Sequence, residues 1–326
     1  MVKDSLFSRL LKGDAKNCFP YLEKALSGGQ DLVYYLDEIL FAAASIKYEN
    51  IDNQHPIMTI NSIKNIIGDN KANPSQSLMK YCLDICLDNE IVDYNDSLDD
   101  QYSGETISSV FVGTLEDAIQ SGSWDEVDQI MPKIYYASDR SRSIIDTIAD
   151  LGLQNIDSNG SMIFHLLRAF NFKQSKSNVW TYSSCLINVL KKEPLPRPSK
   201  RRNTNPIDLI KYISSHNNID DIITYSAVLR IWEGDYVRLS SYQREISCWL
   251  DVKFPDITES DKNKHPELSE GDFKQNDFIQ IAELIISKNN SIEEKSRDII
   301  ALDALRYLKN KSGDSLHFQI KDLLKA

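Results

Sequence analysis

The sequence lacks long hydrophobic runs and contains little cysteine. No stretch of about eighteen apolar residues occurs in it, so we expect no membrane-spanning helix. Charged side chains are spread through residues 1–19, which excludes a secretory signal there. The cysteines are odd in number and scattered, which favours a reducing compartment over a disulfide framework; they are Cys18, Cys82, Cys86, Cys185 and Cys248. We therefore expect a soluble, cytoplasmic protein.

The signatures of several enzyme classes are also missing. The chain has no P-loop, no G-x-G-x-x-G and no G-x-S-x-G, so NTPase, dinucleotide-fold and hydrolase functions have no support. It contains no C-x-x-C or H-x-x-x-H pair of the kind that binds zinc. The acidic run that begins at Asp93 places Leu98 and Gly104 where a calcium loop needs glycine and glutamate. We therefore predict no metal site.

Acidic residues outnumber basic ones. The chain of 326 residues has 37 Lys and Arg against 48 Asp and Glu, which gives a formal net charge of −11. Nucleic-acid binding needs a basic face, so this balance argues against a nucleic acid as the partner. Hydrophobic residues make up 41% of the chain, enough for the core of one large domain or two ordinary ones.

The hydrophobic pattern is helical along most of the chain. One stripe with a helical period runs through Trp124, Val127, Ile130, Met131, Ile134 and Tyr135. The spacing S-x-x-E at Ser123 and at Ser291 predicts a capping box at two helix starts. No Asn-Gly or Asp-Gly hairpin turn occurs. We predict an all-α fold of packed antiparallel helix hairpins, with roughly fourteen helices in two subdomains.

A proline-rich basic segment divides the pattern. Residues 191–206 read KKEPLPRPSKRRNTNP, in which three prolines favour extended backbone. We predict an N-terminal helical domain over 1–192, a linker over 193–206 and a C-terminal helical subdomain over 207–326.

An acidic stretch precedes this linker. Between Lys80 and Lys133 there is no Lys or Arg, whereas thirteen Asp or Glu residues occur. The stretch 84–128 is either a solvated surface or a docking face, for a basic partner or for the chain's own basic residues 197–202.

Two of the five histidines lie in apolar helical segments. His55 immediately precedes Pro56 and opens the segment HPIMTINSIKNII, and His165 lies within SMIFHLLRAF with Arg168 close on the same face. Histidine is the usual acid–base and metal residue near neutral pH, but an imidazole on an apolar helix is also a common hydrogen-bonded core residue. The other three, His216, His265 and His317, carry no such signal.

The order of these segments resembles known helical families. HPIMTINSIKNI is followed by PSQSLMKYCLDICLD, FVGTLEDAIQSGSWDEVDQIM, NGSMIFHLLRAFNF and PRPSKRRN. Over about residues 50–205 this arrangement is similar to all-helical domains of unassigned function, some of them joined to Rieske-type iron–sulfur modules, and to the questin-oxidase-like proteins. The resemblance implies an internal pocket near His55 and, for the questin-oxidase-like branch, oxidative tailoring of a small molecule.

The chain departs from these families in two ways. The families carry a second His after a Gly on a later helix, whereas here Gly160 is followed by Ser161 and the nearest histidine is His165. No Cys-x-His pair of the Rieske type is present, so the cofactor, if any, stays unknown.

Two functions remain open at the level of sequence. The first is a small-molecule biosynthetic enzyme of oxidoreductase type, with His55 and His165 as catalytic residues and Tyr81 and Arg168 as substrate-binding residues. The second is a non-enzymatic helical protein-interaction module that uses the acidic 84–128 surface. The expected partner is accordingly a small-molecule ligand or another protein, and neither a nucleic acid nor a membrane.

The linker offers a direct test by limited proteolysis. Trypsin should cut first within residues 191–206, because the segment combines basic residues with prolines that prevent a regular element. The products are identified by intact mass after brief digestion. If trypsin first cuts elsewhere and leaves this segment whole, the predicted domain boundary is wrong.

Overall fold

The computed structural model describes residues 5–47, 54–95, 98, 110–200, 204–214, 218–255, 275–312, 316, 319 and 320. Over these residues the fold is all-α, as predicted. Fourteen α-helices of six or more residues occur in the described chain. They are α1 Leu6–Leu11, α2 Ala15–Ser27, α3 Leu32–Ala44, α4 Pro56–Ile67, α5 Gln76–Leu87, α6 Val112–Ser121, α7 Trp124–Ala137, α8 Ser143–Gly152, α9 Ile156–Phe170, α10 Val179–Leu190, α11 Ile219–Trp232, α12 Leu239–Lys253, α13 Gln275–Ser287 and α14 Ile292–Ser312.

The remaining regular structure is slight. A five-residue helix, Ile210–Ser214, continues the 3₁₀ turn Pro206–Leu209. No strand occurs among the described residues, where Ile46 and Ile91 form an isolated antiparallel bridge. In the same part of the chain no helix is both long and apolar enough to cross a membrane.

The two predicted capping boxes have different outcomes. At the start of α14 the box is present: Glu294 N donates to Ser291 Oγ at 3.2 Å, and Ser291 N donates to Glu294 Oε2 at 3.1 Å. At the start of α7 it is absent, because the Ser123 side chain accepts no bond from the helix. Ser123 Oγ lies 2.9 Å from Ser121 Oγ, so the hydroxyl is engaged by the preceding turn instead.

Helices α11 and α14 pack side by side and run in the same direction. Near their starts, Arg297 Nη2 donates to Asp220 at 2.9 Å. Near their ends, Lys311 Nζ donates to Glu233 at 2.6 Å. Because residues advance along both helices together, the pair is parallel. Such an arrangement is open to helices that are not consecutive in the chain, since the intervening helices carry the chain back.

Helix α4 runs parallel to α14 by the same criterion. Asn65 Nδ2 donates to Asp303 Oδ2 at 2.9 Å, and one turn further along Arg306 Nε donates to Asp69 Oδ2 at 2.6 Å. Helix α9 closes the group by packing against both α4 and α11. We call α4, α9, α11 and α14 the central helices. Their neighbours in sequence, α8 for α9 and α13 for α14, pack beside them as consecutive pairs.

The central helices form the middle of one continuous hydrophobic core. Helix α4 is buried along nearly its whole length, and its buried residues include the polar Thr59, Asn61, Ser62 and Lys64. Helices that are buried on every face belong to the interior of a fold. Since α4 and α9 precede the 193–206 segment and α11 and α14 follow it, packing is continuous across that segment. Residues on both sides therefore share one core, and the boundary stays a prediction for proteolysis.

The described part of the linker lies along the surface in extended form. Gln120 Nε2 of α6 donates to the Pro196 carbonyl at 2.8 Å. Ser199 N donates to the Glu245 carboxylate of α12 at 3.2 Å. The segment is thus attached at two points to helices from both sides of the chain.

Asp303 links three of the central helices. Its carboxylate, only 1% exposed, accepts from Arg230 Nη1 of α11 at 2.7 Å, and it also binds Asn65 of α4. Arg306 joins Asp303 to Asp69 at the end of α4. Burial alone would raise the pKa of Asp303, but the charges of Arg230 and Arg306 outweigh it and lower this pKa. The carboxylate is therefore charged under all ordinary conditions, and its contribution to stability is lost only as the pH falls through the lowered pKa.

Replacing Asp303→Asn should strongly destabilise the protein. The change removes the buried carboxylate that two partly buried guanidinium groups share, a loss of about 3–5 kcal/mol in the free energy of unfolding. Asp220→Asn is the matched control, since Asp220 forms an exposed ion pair with Arg297 worth at most about 1 kcal/mol. Urea denaturation of both variants measures the difference. Equal, small losses would show that the Asp303 network does not hold the central helices together.

Candidate functional site

Two cavities lie at opposite ends of the central helices. The first has a volume of about 640 Å³ and is lined by residues from the ends of α4, α9 and α11 and by Arg306 and Tyr307 of α14. The second has a volume of about 350 Å³ and is lined by residues from the starts of α4, α9 and α11. We call them the basic cavity and the His55 cavity. Because the ends of α4, α9 and α11 line one cavity and their starts line the other, these three helices run parallel to one another.

The basic cavity collects cations because helices end there. Lys64, Arg168 and Arg230 are the basic residues in the last turns of α4, α9 and α11. A helix C-terminus carries partial negative charge, so a cation in its last turn is stabilising. Three parallel helices that end side by side therefore bring three such cations to one place.

The basic cavity has more basic side chains than the three contributed by the last turns of these helices. Six cationic and two acidic side chains line it, in a protein with a net charge of −11. The cationic residues are Lys64, Lys71, Arg142, Arg168, Arg230 and Arg306, and the acidic ones are Glu233 and Asp235.

Three of these six cations have a carboxylate partner. Arg230 and Arg306 pair with Asp303, and Arg142 lies 3.7 Å from Asp146. Glu233, one of the two acids, is itself bound by Lys311 at 2.6 Å. Over the part of the chain that the structure describes, Lys64, Lys71 and Arg168 have no carboxylate within ion-pair distance. Lys71 and Arg168 are exposed at the rim, whereas Lys64 is buried.

Lys64 is a buried amine without a carboxylate partner. Its residue is 6% exposed, its Nζ donates to Asn61 Oδ1 at 2.7 Å, and the same nitrogen lies 4.9 Å from the centre of the Phe172 ring. Burial, and then the nearby charge of Arg168, lower the pKa of Lys64 to about 7, although Asp303 acts in the opposite direction. Close to neutral pH a large fraction of this amine is therefore uncharged.

His165 lies directly behind Lys64 and fixes the orientation of Asn61. The Asn61 oxygen accepts from Lys64, so its amide nitrogen must donate to His165 Nδ1, which lies 2.9 Å away. His165 consequently carries its proton on Nε2. Burial is the main reason that the pKa of His165 falls to about 3, so the ring is neutral. It lines a cavity of only about 10 Å³, beside Arg230 and Asp303.

His55 is the N-cap of α4, and both of its ring nitrogens have partners. Its Nδ1 accepts from Ile57 N at 3.2 Å, and its Nε2 lies 3.5 Å from Cys185 Sγ. Burial, with a smaller effect of Lys192, lowers the pKa of His55 to about 3. Burial also raises the pKa of the Cys185 thiol to about 12. Both side chains are therefore uncharged at neutral pH, and both His55 nitrogens are engaged.

The structure does not bring the four predicted site residues together. Arg168 lines the basic cavity and His165 lies behind it, whereas His55 lines the cavity at the other end of the helices. Tyr81 of α5 lines neither of these cavities; it lies beside Ser296 of α14. Sequence reasoning missed Lys64. The sequence does contain a sign of it: Lys64 follows Asn61 by three residues in a largely apolar helical segment, so both side chains lie on one face.

The acidic stretch 84–128 is described only in part. Residues 96, 97 and 99–109 lie outside the described residues, as do His216, His265 and His317. Within the described portion, Glu116 pairs with Arg238, and Asp128 accepts from Lys191 at 2.9 Å. Some of this acidic surface is therefore paired within the chain. No cluster of three metal-ligating side chains occurs among the residues described.

The cap formed by His55 can be tested by substitution. His55→Asn should be less destabilising than His55→Ala by about 1 kcal/mol, because an asparagine at this position can still accept from Ile57 N. Urea denaturation of the two variants gives the difference. If both variants lose the same stability, the imidazole contributes through packing alone and the cap is not a source of stability.

Comparison with known proteins identifies no relative of this chain. No protein-family model, no curated protein and no solved structure matches the chain. The resemblance of residues 50–205 to the questin-oxidase-like proteins and to the helical domains joined to Rieske-type modules therefore stays a prediction from the residues alone. The basic cavity is a candidate site on the basis of its geometry.

Proposed function

We propose that the protein binds a small organic anion, one that carries a phosphate or carboxylate group, in the basic cavity. The observation that carries this proposal is the set of three cations without an ion-pair partner among the described residues, namely Lys64, Lys71 and Arg168. Like charges gathered at one site repel one another, and a bound anion relieves that repulsion. Guanidinium groups are well suited to the task because their donors match the oxygens of carboxylate and phosphate.

The walls of the cavity favour an organic molecule over a simple ion. The volume of about 640 Å³ falls within the range of about 300–1,000 Å³ found for small-molecule sites. Aromatic side chains line the cavity together with the cations; they are Phe164, Phe172, Tyr236 and Tyr307. Rings of this kind provide apolar contact for the body of a ligand, while Arg168 and Lys71 at the rim hold its charged end.

An oxidoreductase acting at the His55 cavity is the second candidate. It is supported by the presence of a cavity of about 350 Å³ beside His55, where the family resemblance places a pocket. Because both nitrogens of His55 are engaged, its contribution there would be to shape the pocket wall through a neutral ring. All five cysteines are free, which supports a reducing compartment such as the cytoplasm for either function.

Anion binding is tested by isothermal titration of the full chain with inorganic pyrophosphate. Arg168→Gln should weaken binding by about 10-fold or more, because it removes a charged hydrogen-bond donor worth about 1.5–3 kcal/mol. Arg297→Gln is the matched control, since Arg297 is an exposed arginine outside the cavity. Binding should also weaken as salt increases.

The outcome that contradicts the proposal is clear. If the unaltered protein binds no pyrophosphate at low salt, or if Arg168→Gln and Arg297→Gln bind it equally, the basic cavity is not an anion site. Both substitutions affect exposed side chains, so neither result can be attributed to loss of the fold.

A further inference from the structure

We infer that Lys64 is a nucleophilic amine and that it forms an imine with an aldehyde or ketone that carries a phosphate or carboxylate group. This inference rests on the proposed function, because Arg168 and Lys71 would hold the anionic group while the carbonyl reaches Lys64. Beyond anion binding, Lys64 would give the basic cavity a reaction, imine formation, and a substrate class, anionic aldehydes or ketones.

The first support is the position of the amine. Lysine is almost never fully buried unless it is paired with a carboxylate. Lys64 is 6% exposed, has Asn61 as its hydrogen-bond partner, and faces a cavity of about 640 Å³. The helix dipole favours a cation in this last turn, but an amine extended into solvent would serve it, so fold stability gives no reason to bury the amine.

The second support is the chain of contacts that aims the nitrogen. Asn61 accepts from Lys64 Nζ, and His165 in turn fixes the Asn61 amide. An uncharged amine has two hydrogens and one lone pair. Because the bond to Asn61 uses one hydrogen, the lone pair is left to point away from that bond. Positioning residues of this kind hold a reactive group in one geometry.

The third support is the charge environment from all the elements around the amine. Burial has the largest effect and disfavours the ammonium form; Arg168 of α9 and Arg230 of α11 disfavour it further, whereas Asp303 of α14 favours it. The resulting pKa of about 7 leaves close to half of the amine neutral at pH 7. Desolvation and a neighbouring cation are the established means of activating a lysine for imine formation.

The reaction is balanced without any oxidant or reductant. The lone pair of the neutral Nζ attacks the carbonyl carbon, and a C–N bond forms as the π electrons of the C=O bond move to oxygen. A proton passes from nitrogen to oxygen, which gives a carbinolamine. The hydroxyl then takes up a second proton, from solvent, and the C–O bond breaks as the nitrogen lone pair forms the C=N bond, so that water leaves and a protonated imine remains. Hydrolysis reverses these steps and restores the free amine.

Pyridoxal 5′-phosphate is a suitable probe, since it is an aldehyde that carries a phosphate. The full chain is incubated with it over a range of pH, reduced with sodium borohydride, digested and analysed by mass spectrometry. At pH 7 an ordinary lysine with a pKa of about 10.4 is neutral in fewer than about one molecule in a thousand. Lys64 should therefore be modified at least about 10-fold faster than Lys71, an exposed lysine of the same cavity, with a pH midpoint near its own pKa of about 7.

Variants separate the imine from anion binding. Lys64→Arg keeps the positive charge but lacks the amine, so it should bind pyrophosphate and give no adduct at position 64. Arg168→Gln should raise the concentration of pyridoxal 5′-phosphate needed to modify Lys64. Pyrophosphate should slow that modification in the unaltered protein. Thermal unfolding of each variant verifies that it is folded.

Three results would overturn the inference. If pyrophosphate binds but Lys64 stays unmodified, the proposed function stands and the imine is wrong. If Lys64 and Lys71 react at the same rate, Lys64 has no special reactivity. If Lys64 reacts as fast with pyridoxal, which has no phosphate, and pyrophosphate gives no protection, then the anionic substrate class fails together with the proposed function.

Discussion

The parallel course of the four central helices is the constraint on which the rest of the structure depends. Parallel helices align their dipoles, so partial positive charge gathers at one end of the group and partial negative charge at the other. Side chains compensate at both ends: Asp157 and Asp220 lie in the first turns of α9 and α11, and Arg168 and Arg230 lie in their last turns. The buried carboxylate of Asp303 links the helices close to the end where Arg230 lies.

The basic cavity follows from that arrangement, but its chemistry does not. Helix ends explain why cations gather there, and the ion pair with Asp303 explains why Arg230 is partly buried. Neither explains Lys64, which lies deeper than the rim and has no carboxylate beside it in the described chain. A cation that only completed a helix end would extend its amine into solvent, as long lysine side chains commonly do. The depth of Lys64 is therefore the feature that distinguishes a reactive site from a stabilising one.

Sequence patterns predicted the local features and missed those that depend on distant pairing. The helical period and the capping box at Ser291 are local, and both are present. Arg168 was selected as a substrate-binding residue, and it lines the basic cavity. Lys64 could not be assigned in this way, because its surroundings are set by contacts such as that between Asn65 and Asp303, which are 238 residues apart. His55 is the N-cap of α4, a helix start that the pattern His-Pro also indicates, and its catalytic role stays a prediction.

The two ends of the central helices differ in the charge of the side chains around their cavities. The His55 cavity is lined by Asp157, Glu193, Asp220 and Lys192, and Asp157 and Asp220 pair with Lys253 and Arg297. It therefore lacks the excess of cations that attracts an anion to the basic cavity. Oxidative chemistry near His55 would therefore not require an anionic substrate, whereas imine chemistry at Lys64 would. An anionic group on a ligand would favour the basic cavity, where the cations lie in the last turns of helices that run in one direction.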